Sequence, residues 1–200
     1  MELCPHRYFI IHKPRNMVSQ FVSSHDVRLL GDLDFDFPEG THAIGRLDKD
    51  SEGLLLLTTN KRITRLLFEG STPHTRSYLV QVKYEVPDVK IELLRDGIGI
   101  SHTNDSIYTT QPCLVERIAH PEIYISNAGE LSFYIPHSWL LITLTEGKFH
   151  QVRKMVKGIG HPCKRLIRIS IENLTLQGLQ PGEVKELTEE ECLENLCIQL

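Results

Sequence analysis

The chain has 200 residues, 40% apolar and 24% charged, with a formal net charge of −4. A chain of this composition can bury roughly 70% of its unfolded surface without disulfides, which excludes a low-complexity or disordered protein, and no apolar run approaches the roughly 20 residues of a membrane span. The acidic total hides a segregation of charge: residues 148–168 hold seven Lys or Arg, two His and no acid, whereas residues 183–194 hold six Glu and one Lys.

Residues 8–12 read as a strand closed by Pro14. Residues 31–41, rich in Gly, Asp and Pro, read as a loop, and the apolar run 54–57 as a short buried strand. Asn60 caps a helix that carries Ile63, Leu66 and Leu67 on one face and stops at Gly70. Residues 78–84 alternate, with Tyr78, Val80, Val82 and Tyr84 on one side and Leu79, Gln81 and Lys83 on the other, which predicts a half-buried strand. A short helix fits 87–96. Several short strands fit 97–138, with turns at Asn104-Asp105 and at 127–129, and a strong strand follows at 139–145.

The spacing predicts a helix over 147–160. Phe149, Val152, Met155, Val156 and Ile159 fall on one arc, and His150, Arg153, Lys154 and Lys157 on the opposite one. Residues 165–176 read as one or two strands, with Ile167, Ile169 and Ile171 on one side. Thr188-Glu189-Glu190-Glu191 is a capping box that opens a final short helix. Many strands and few helices in no regular alternation indicate an α+β fold with a mixed, largely antiparallel sheet.

The five cysteines, Cys4, Cys113, Cys163, Cys192 and Cys197, are odd in number and irregularly spaced. They read as reduced thiols without a metal site. The N-terminus shows no basic segment leading into an export-type apolar stretch, so the expected location is the cytoplasm.

The densest polar cluster is GRLDKDSEGLLLLTTN at 45–60. Arg46, Asp48, Lys49, Asp50, Ser51 and Glu52 crowd between Gly45 and Gly53, ahead of an apolar strand. A charged turn anchored on a buried strand is where a scaffold displays reactive groups, and it equally fits a solvated loop with internal ion pairs.

This string resembles the signature of the RsuA-type ribosomal RNA pseudouridine synthases. Three further segments resemble the rest of that pattern in the same order: YFIIHKPRNMVSQF at 8–21, RSYLVQV at 76–82 and LTEGKFHQVRKMVKGIGHPCKRLIRISIENLTLQGLQPGEVKELT at 144–188. The matches span nearly the whole chain. The resemblance implies a pseudouridine synthase fold with two subdomains flanking a catalytic cleft. It places the catalytic domain at 1–188, with 189–200 as an acidic helix or tail of the same domain.

The resemblance also implies a chemistry: the bond from uracil N1 to the ribose breaks and the base reattaches through C5, with no cofactor or metal. Asp48 matches the nucleophile, which must be ionised, as aspartate ordinarily is at neutral pH. Its target is ribose C1′ or, alternatively, the uracil ring. Covalent catalysis splits one hard transfer into two easier steps.

Arg153 matches the arginine that pairs with this carboxylate, where taken alone it would read as a phosphate-binding or surface cation. Tyr78 matches the tyrosine that stacks on the target base and helps move the C5 proton, and taken alone it would read as a core-facing strand tyrosine. Arg46 would fill the space a flipped uridine leaves, or contact a phosphate. Leu166 would pack on the target base, and it fits an ordinary core position equally well. Lys148, His150, Lys154, Lys157, Lys164, Arg165 and Arg168 would contact phosphates, and Lys13 and Arg15 would extend that surface.

The chain departs from the family pattern in two places: Arg76-Ser77-Tyr78 replaces Lys-x-Tyr, and Phe149-His150 stands where many members carry asparagine or arginine. The match begins almost at residue 1, without room for an N-terminal RNA-binding domain of the S4 type. The RluE-like branch is therefore expected, with large-subunit ribosomal RNA as substrate and a monomeric enzyme. Two other readings compete. Asp48-Lys49-Asp50-Ser51 could be the Asp-x-Asp of an aspartyl-phosphate phosphatase, but that motif ends a long hydrophobic strand and residues 41–44 are short and half polar. A non-catalytic ribosome-assembly factor would keep the basic helix, yet binding alone requires no intact Asp48, Tyr78 and Arg153.

Overall fold

The structure, a computed structural model, describes residues 5–68, 73–102, 106–126, 128 and 135–199. Cys4, Gly70, the Asn104-Asp105 turn and positions 127 and 129 of the second expected turn lie outside the described residues. The chain divides into two compact units, Met1–His74 with Arg168–Leu200, and Thr75–Ile167.

In chain order the elements begin with β1 (Tyr8–Lys13), β2 (His42–Ile44), β3 (Glu52–Thr58), α1 (Arg62–Phe68), β4 (Arg76–Lys83) and α2 (Asp88–Asp96). They continue with β5 (Gly99–Ser101), β6 (Ile107–Thr109), β7 (Leu114–Ile118), β8 (His137–Leu144) and α3 (Gln151–Gly158). Last come β9 (Cys163–Ile171), β10 (Leu174–Thr175), β11 (Val184–Leu187) and α4 (Glu189–Asn195).

In the first unit β1 lies between β11 and β3, and β2 also pairs with β3, all antiparallel. Flanked on both edges, β1 is buried at every residue. The 31–41 loop is pinned by aromatic packing: Phe35 and Phe37 meet Phe9 edge-on, with centroids 5.5 and 5.6 Å apart. The Thr188 capping box forms, with the Thr188 hydroxyl accepting from the Glu191 amide at 3.1 Å and the Glu191 carboxylate accepting from the Thr188 amide at 2.8 Å. The acidic C-terminal segment is therefore part of this unit. Leu187 pairs with Tyr8, and the Tyr8 hydroxyl donates to Glu189.

In the second unit the order is β4-β8-β7, again antiparallel, and β5-β6 form a separate hairpin. Val80, Val82, Leu140, Ile142 and Val115 form a core with Ile91 and Leu94 of α2 and Val152, Met155 and Val156 of α3. The molecule is α+β with antiparallel pairing at every named ladder described.

Four expectations change. Strands β2 and β11 form where no strand was expected, from sequences too short and too polar to show a period. In β4 both faces are buried rather than one, since Leu79 and Gln81 are covered as fully as Val80 and Val82. Helix α3 starts at Gln151, because His150 adopts a left-handed conformation (φ 54°) that no right-handed helix contains. Phe149 is thereby removed from the apolar arc and is 74% exposed.

Candidate active site

The charged turn in the first unit is built by what brackets it. Gly45 and Gly53 both have positive φ, +71° and +103°. A Cβ at Gly53 would sit 2.2 Å from the Arg168 carbonyl oxygen, so only glycine lets β3 approach there. Leu47, buried, is held at both backbone groups by one side chain: the Ser19 hydroxyl donates to the Leu47 carbonyl at 2.9 Å and accepts from its amide at 3.0 Å. The Ser51 amide then donates to the Asp48 carbonyl at 3.0 Å, closing the turn. Leu47, Ser51 and Glu52 are buried, Asp48 is half-buried, and Arg46, Lys49 and Asp50 are exposed. Asp48 is thus a carboxylate on a rigid backbone at the edge of a buried strand. The Arg46 guanidinium donates to the Gln20 side-chain carbonyl at 3.1 Å. A cavity of about 460 Å³ opens beside it, lined by Gln20, Phe21 and His42 among others.

Lys13 departs from the expected phosphate-binding surface. It is fully buried at the end of β1, and its ammonium donates to the carbonyls of Met17 at 2.6 Å and Pro14 at 3.0 Å, with a longer 3.5 Å approach to Lys49, the residue after Asp48. Burial pushes its pKa down to about 8, against the opposite pull of the Glu52, Asp48 and Asp50 carboxylates. This cation braces the turn from beneath.

A pH effect follows. Between about pH 8 and the ordinary lysine value of 10.5 the folded protein has released this proton while the unfolded chain still holds it. Stability from this group therefore rises with pH across that window. The difference in urea midpoint between the wild type and Lys13→Met should shift in favour of the wild type from pH 8 to pH 10. A constant difference would contradict the assignment.

Arg168 is also buried, its Nε donating to the Leu54 carbonyl at 2.8 Å, so it fastens the two strand segments rather than presenting a cation outward. Arg15 is exposed.

In the second unit Tyr78 sits on β4 opposite Ile142, partly buried against the core. Arg153 is half-buried on α3, and its guanidinium donates to the Cys163 thiol at 3.7 Å. The start of α3 is fixed by Gln151, which the sequence did not single out. Its side chain accepts from the Lys148 amide at 2.8 Å and donates to Glu146 at 2.6 Å. Lys148, Lys157 and Lys164 are exposed. Lys154 and His150 are half-buried, and the Lys154 ammonium donates to the Ser101 carbonyl at 2.7 Å. Arg165 and Leu166 are buried, which for Arg165 departs from a surface phosphate contact. Ser19 acts through Leu47, 28 residues away, which no local sequence pattern marks, whereas Gln151 acts on Lys148 and Glu146, three and five residues before it.

Of the expected site residues, Lys13, Arg15, Arg46, Asp48 and Arg168 belong to the first unit, and Tyr78, Lys148, His150, Arg153, Lys154, Lys157, Lys164, Arg165 and Leu166 to the second. Among the described residues no group of three His, Cys, Asp or Glu side chains is gathered as a metal site requires, and no helix is long and apolar enough to cross a membrane.

A family model described as RNA pseudouridylate synthase matches residues 7–157. The ribosomal large subunit pseudouridine synthase E of Vibrio vulnificus (strain CMCP6) is 36% identical over 189 residues, covering 94% of this chain and 78% of that protein. The protein of the same name from Xanthomonas campestris pv. campestris is 34% identical over 178 residues, covering 87% of this chain and 91% of that one. Among solved structures, one described as a pseudouridylate synthase superposes with a TM-score of 0.77 at 26% identity, over 98% of this chain and 76% of that chain.

Proposed function

The chain belongs to the RNA pseudouridine synthase family, and from that premise we propose that it isomerises one uridine of large-subunit ribosomal RNA to pseudouridine. The observation that carries the choice of RNA is the similarity, over nearly the whole chain, to two proteins named for that substrate.

In this reading Asp48 is the nucleophile. Its carboxylate adds to the ribose C1′ or to the uracil ring, and the N1–C1′ bond breaks. The freed base turns, C5 bonds to C1′, the bond to Asp48 breaks and returns its carboxylate, the C5 proton leaves and N1 gains one. The product holds the same atoms as the substrate, so the steps consume no redox equivalent and no external group. The rigid turn supports the assignment, because a nucleophile held in place lowers the barrier through orientation. Tyr78 and Arg153 keep the roles implied by the resemblance: Tyr78 stacks on the base and assists the C5 proton, and Arg153 serves as the guanidinium partner of a carboxylate. A ribosomal RNA substrate supports a cytoplasmic location in this reading.

Purified protein incubated with an unmodified large-subunit ribosomal RNA transcript should produce one new pseudouridine, read by carbodiimide adducts in primer extension. A transcript left without any would contradict the reading. The exposed Lys157 and Lys164 should each neutralise a phosphate. Replacing both with Ala should reduce the slope of log affinity against log salt by about 0.7 for each phosphate left without its lysine. An unchanged slope would remove this surface from the RNA interface.

A further inference from the structure

Phe149 is the most exposed of the described Phe, Tyr and Trp residues. A single exposed apolar residue is ordinary on a protein surface, but this one is held in place. Its ring lies nearly parallel to that of His150, with centroids 3.9 Å apart and planes 20° from each other. The left-handed backbone at His150 fixes the pair at the mouth of α3. One cation lies against it, and a second is its neighbour in sequence. The Lys154 ammonium lies 5.4 Å from the Phe149 ring centre while donating to the Ser101 carbonyl, and the Lys148 ammonium lies over the Tyr108 ring at 4.6 Å. The carboxylate nearest in sequence, Glu146, is engaged by the Gln111 amide, Gln151 and Tyr108.

The position matters as much as the composition. The connection carrying Phe149 leaves β8 at Leu144, which pairs with Arg76, two residues before Tyr78. It enters α3, which carries Arg153. The platform therefore lies on the connection between β8, which pairs with the strand that bears Tyr78, and α3, which bears Arg153.

An exposed flat ring backed by a second ring, with the Lys154 ammonium over it at 5.4 Å and Lys148 next to it in sequence, matches one chemistry closely: an unpaired nucleobase with its phosphates. We propose that Phe149 stacks on an unpaired base adjacent to the target uridine, with Lys148 and Lys154 facing the neighbouring phosphates. This rests on the RNA-modifying reading above. It adds that Phe149 helps choose the RNA, because stacking requires that a base next to the target be unpaired.

The test is equilibrium binding of a ribosomal RNA fragment to the wild type and to Phe149→Ala, Phe149→Leu and Phe149→Trp, with nucleotides flanking the target made abasic one at a time. Phe149→Ala and Phe149→Leu should loosen binding about 5- to 150-fold on intact RNA, and Phe149→Trp should retain it. On the one fragment whose stacking base is missing, the wild type should bind as weakly as Phe149→Ala. Thermal melting should be the same for all four proteins, as the side chain is exposed. Binding of Phe149→Ala within about twofold of the wild type, full retention by Phe149→Leu, or a loss that persists with every abasic fragment would each overturn the proposal; the second of these would mean that apolar contact without stacking is enough to hold the RNA. A wild type that binds the fragment without modifying it would defeat the enzymatic reading, while the binding comparison would still decide the role of Phe149.

Discussion

Asp48→Asn should lower pseudouridine formation by about 10⁴-fold or more, to background, while RNA binding and thermal stability stay close to those of the wild type. Asparagine keeps the shape of aspartate but lacks the anionic oxygen that a covalent step requires. The backbone contacts that define the turn, Ser51 to the Asp48 carbonyl and Ser19 to both polar groups of Leu47, do not involve the exchanged atoms. The exchange does remove one of the three carboxylates that favour the buried Lys13 ammonium, so loss of stability should be modest beside a loss of rate that is nearly complete. Single-turnover assays at saturating enzyme separate the two effects. Modification persisting at even a hundredth of the wild-type rate would mean that another group forms the covalent bond.

Gly53→Ala should damage the fold itself. At φ +103° an L-residue is strained, at about 1–3 kcal/mol, and the new methyl would lie 2.2 Å from the Arg168 carbonyl oxygen and 2.7 Å from its amide nitrogen. The obstacle is backbone, so relief requires the strands to part, which adds overpacking of about 1–3 kcal/mol. A total of about 2–6 kcal/mol is a large share of the stability of a natural domain and should lower the melting temperature by about 4–24 °C. Gly178→Ala is the control: φ is +81° there, but the added Cβ meets nothing within 4 Å, so only the conformational strain applies. Equal melting temperatures for the two variants would show that the close approach at Gly53 carries no cost.

Much of the fold was legible because its strongest elements are locally consistent. The apolar runs of β1 and β3, the helix α2 and the capping box of α4 all follow from residue type and spacing. The elements that escaped are those whose cause is tertiary. β2 and β11 have no periodic signal of their own and become strands by adding to β3 and β1. The helical wheel placed Phe149 on the buried arc because a period assumes that the helix extends through it. The left-handed residue at 150 breaks that assumption, and local sequence does not announce it.

The site divides the same way. Asp48, Tyr78 and Arg153 stood out because their motifs are dense and ordered along the chain. Lys13 read as a surface cation because a lysine after a strand usually stays in water. Its burial depends on carbonyls of Pro14, Met17 and Lys49, which converge only once the chain is folded. Arg165 and Arg168 were grouped with the basic helix by their place in sequence, yet they lie on β9, whose buried positions turn them inward.

Pseudouridine mapping of ribosomal RNA from cells with and without the gene tests the central claim most directly. One pseudouridine in the large-subunit RNA should vanish on deletion, return with the wild-type gene and stay absent with Asp48→Asn. A map unchanged by deletion would contradict the proposed function.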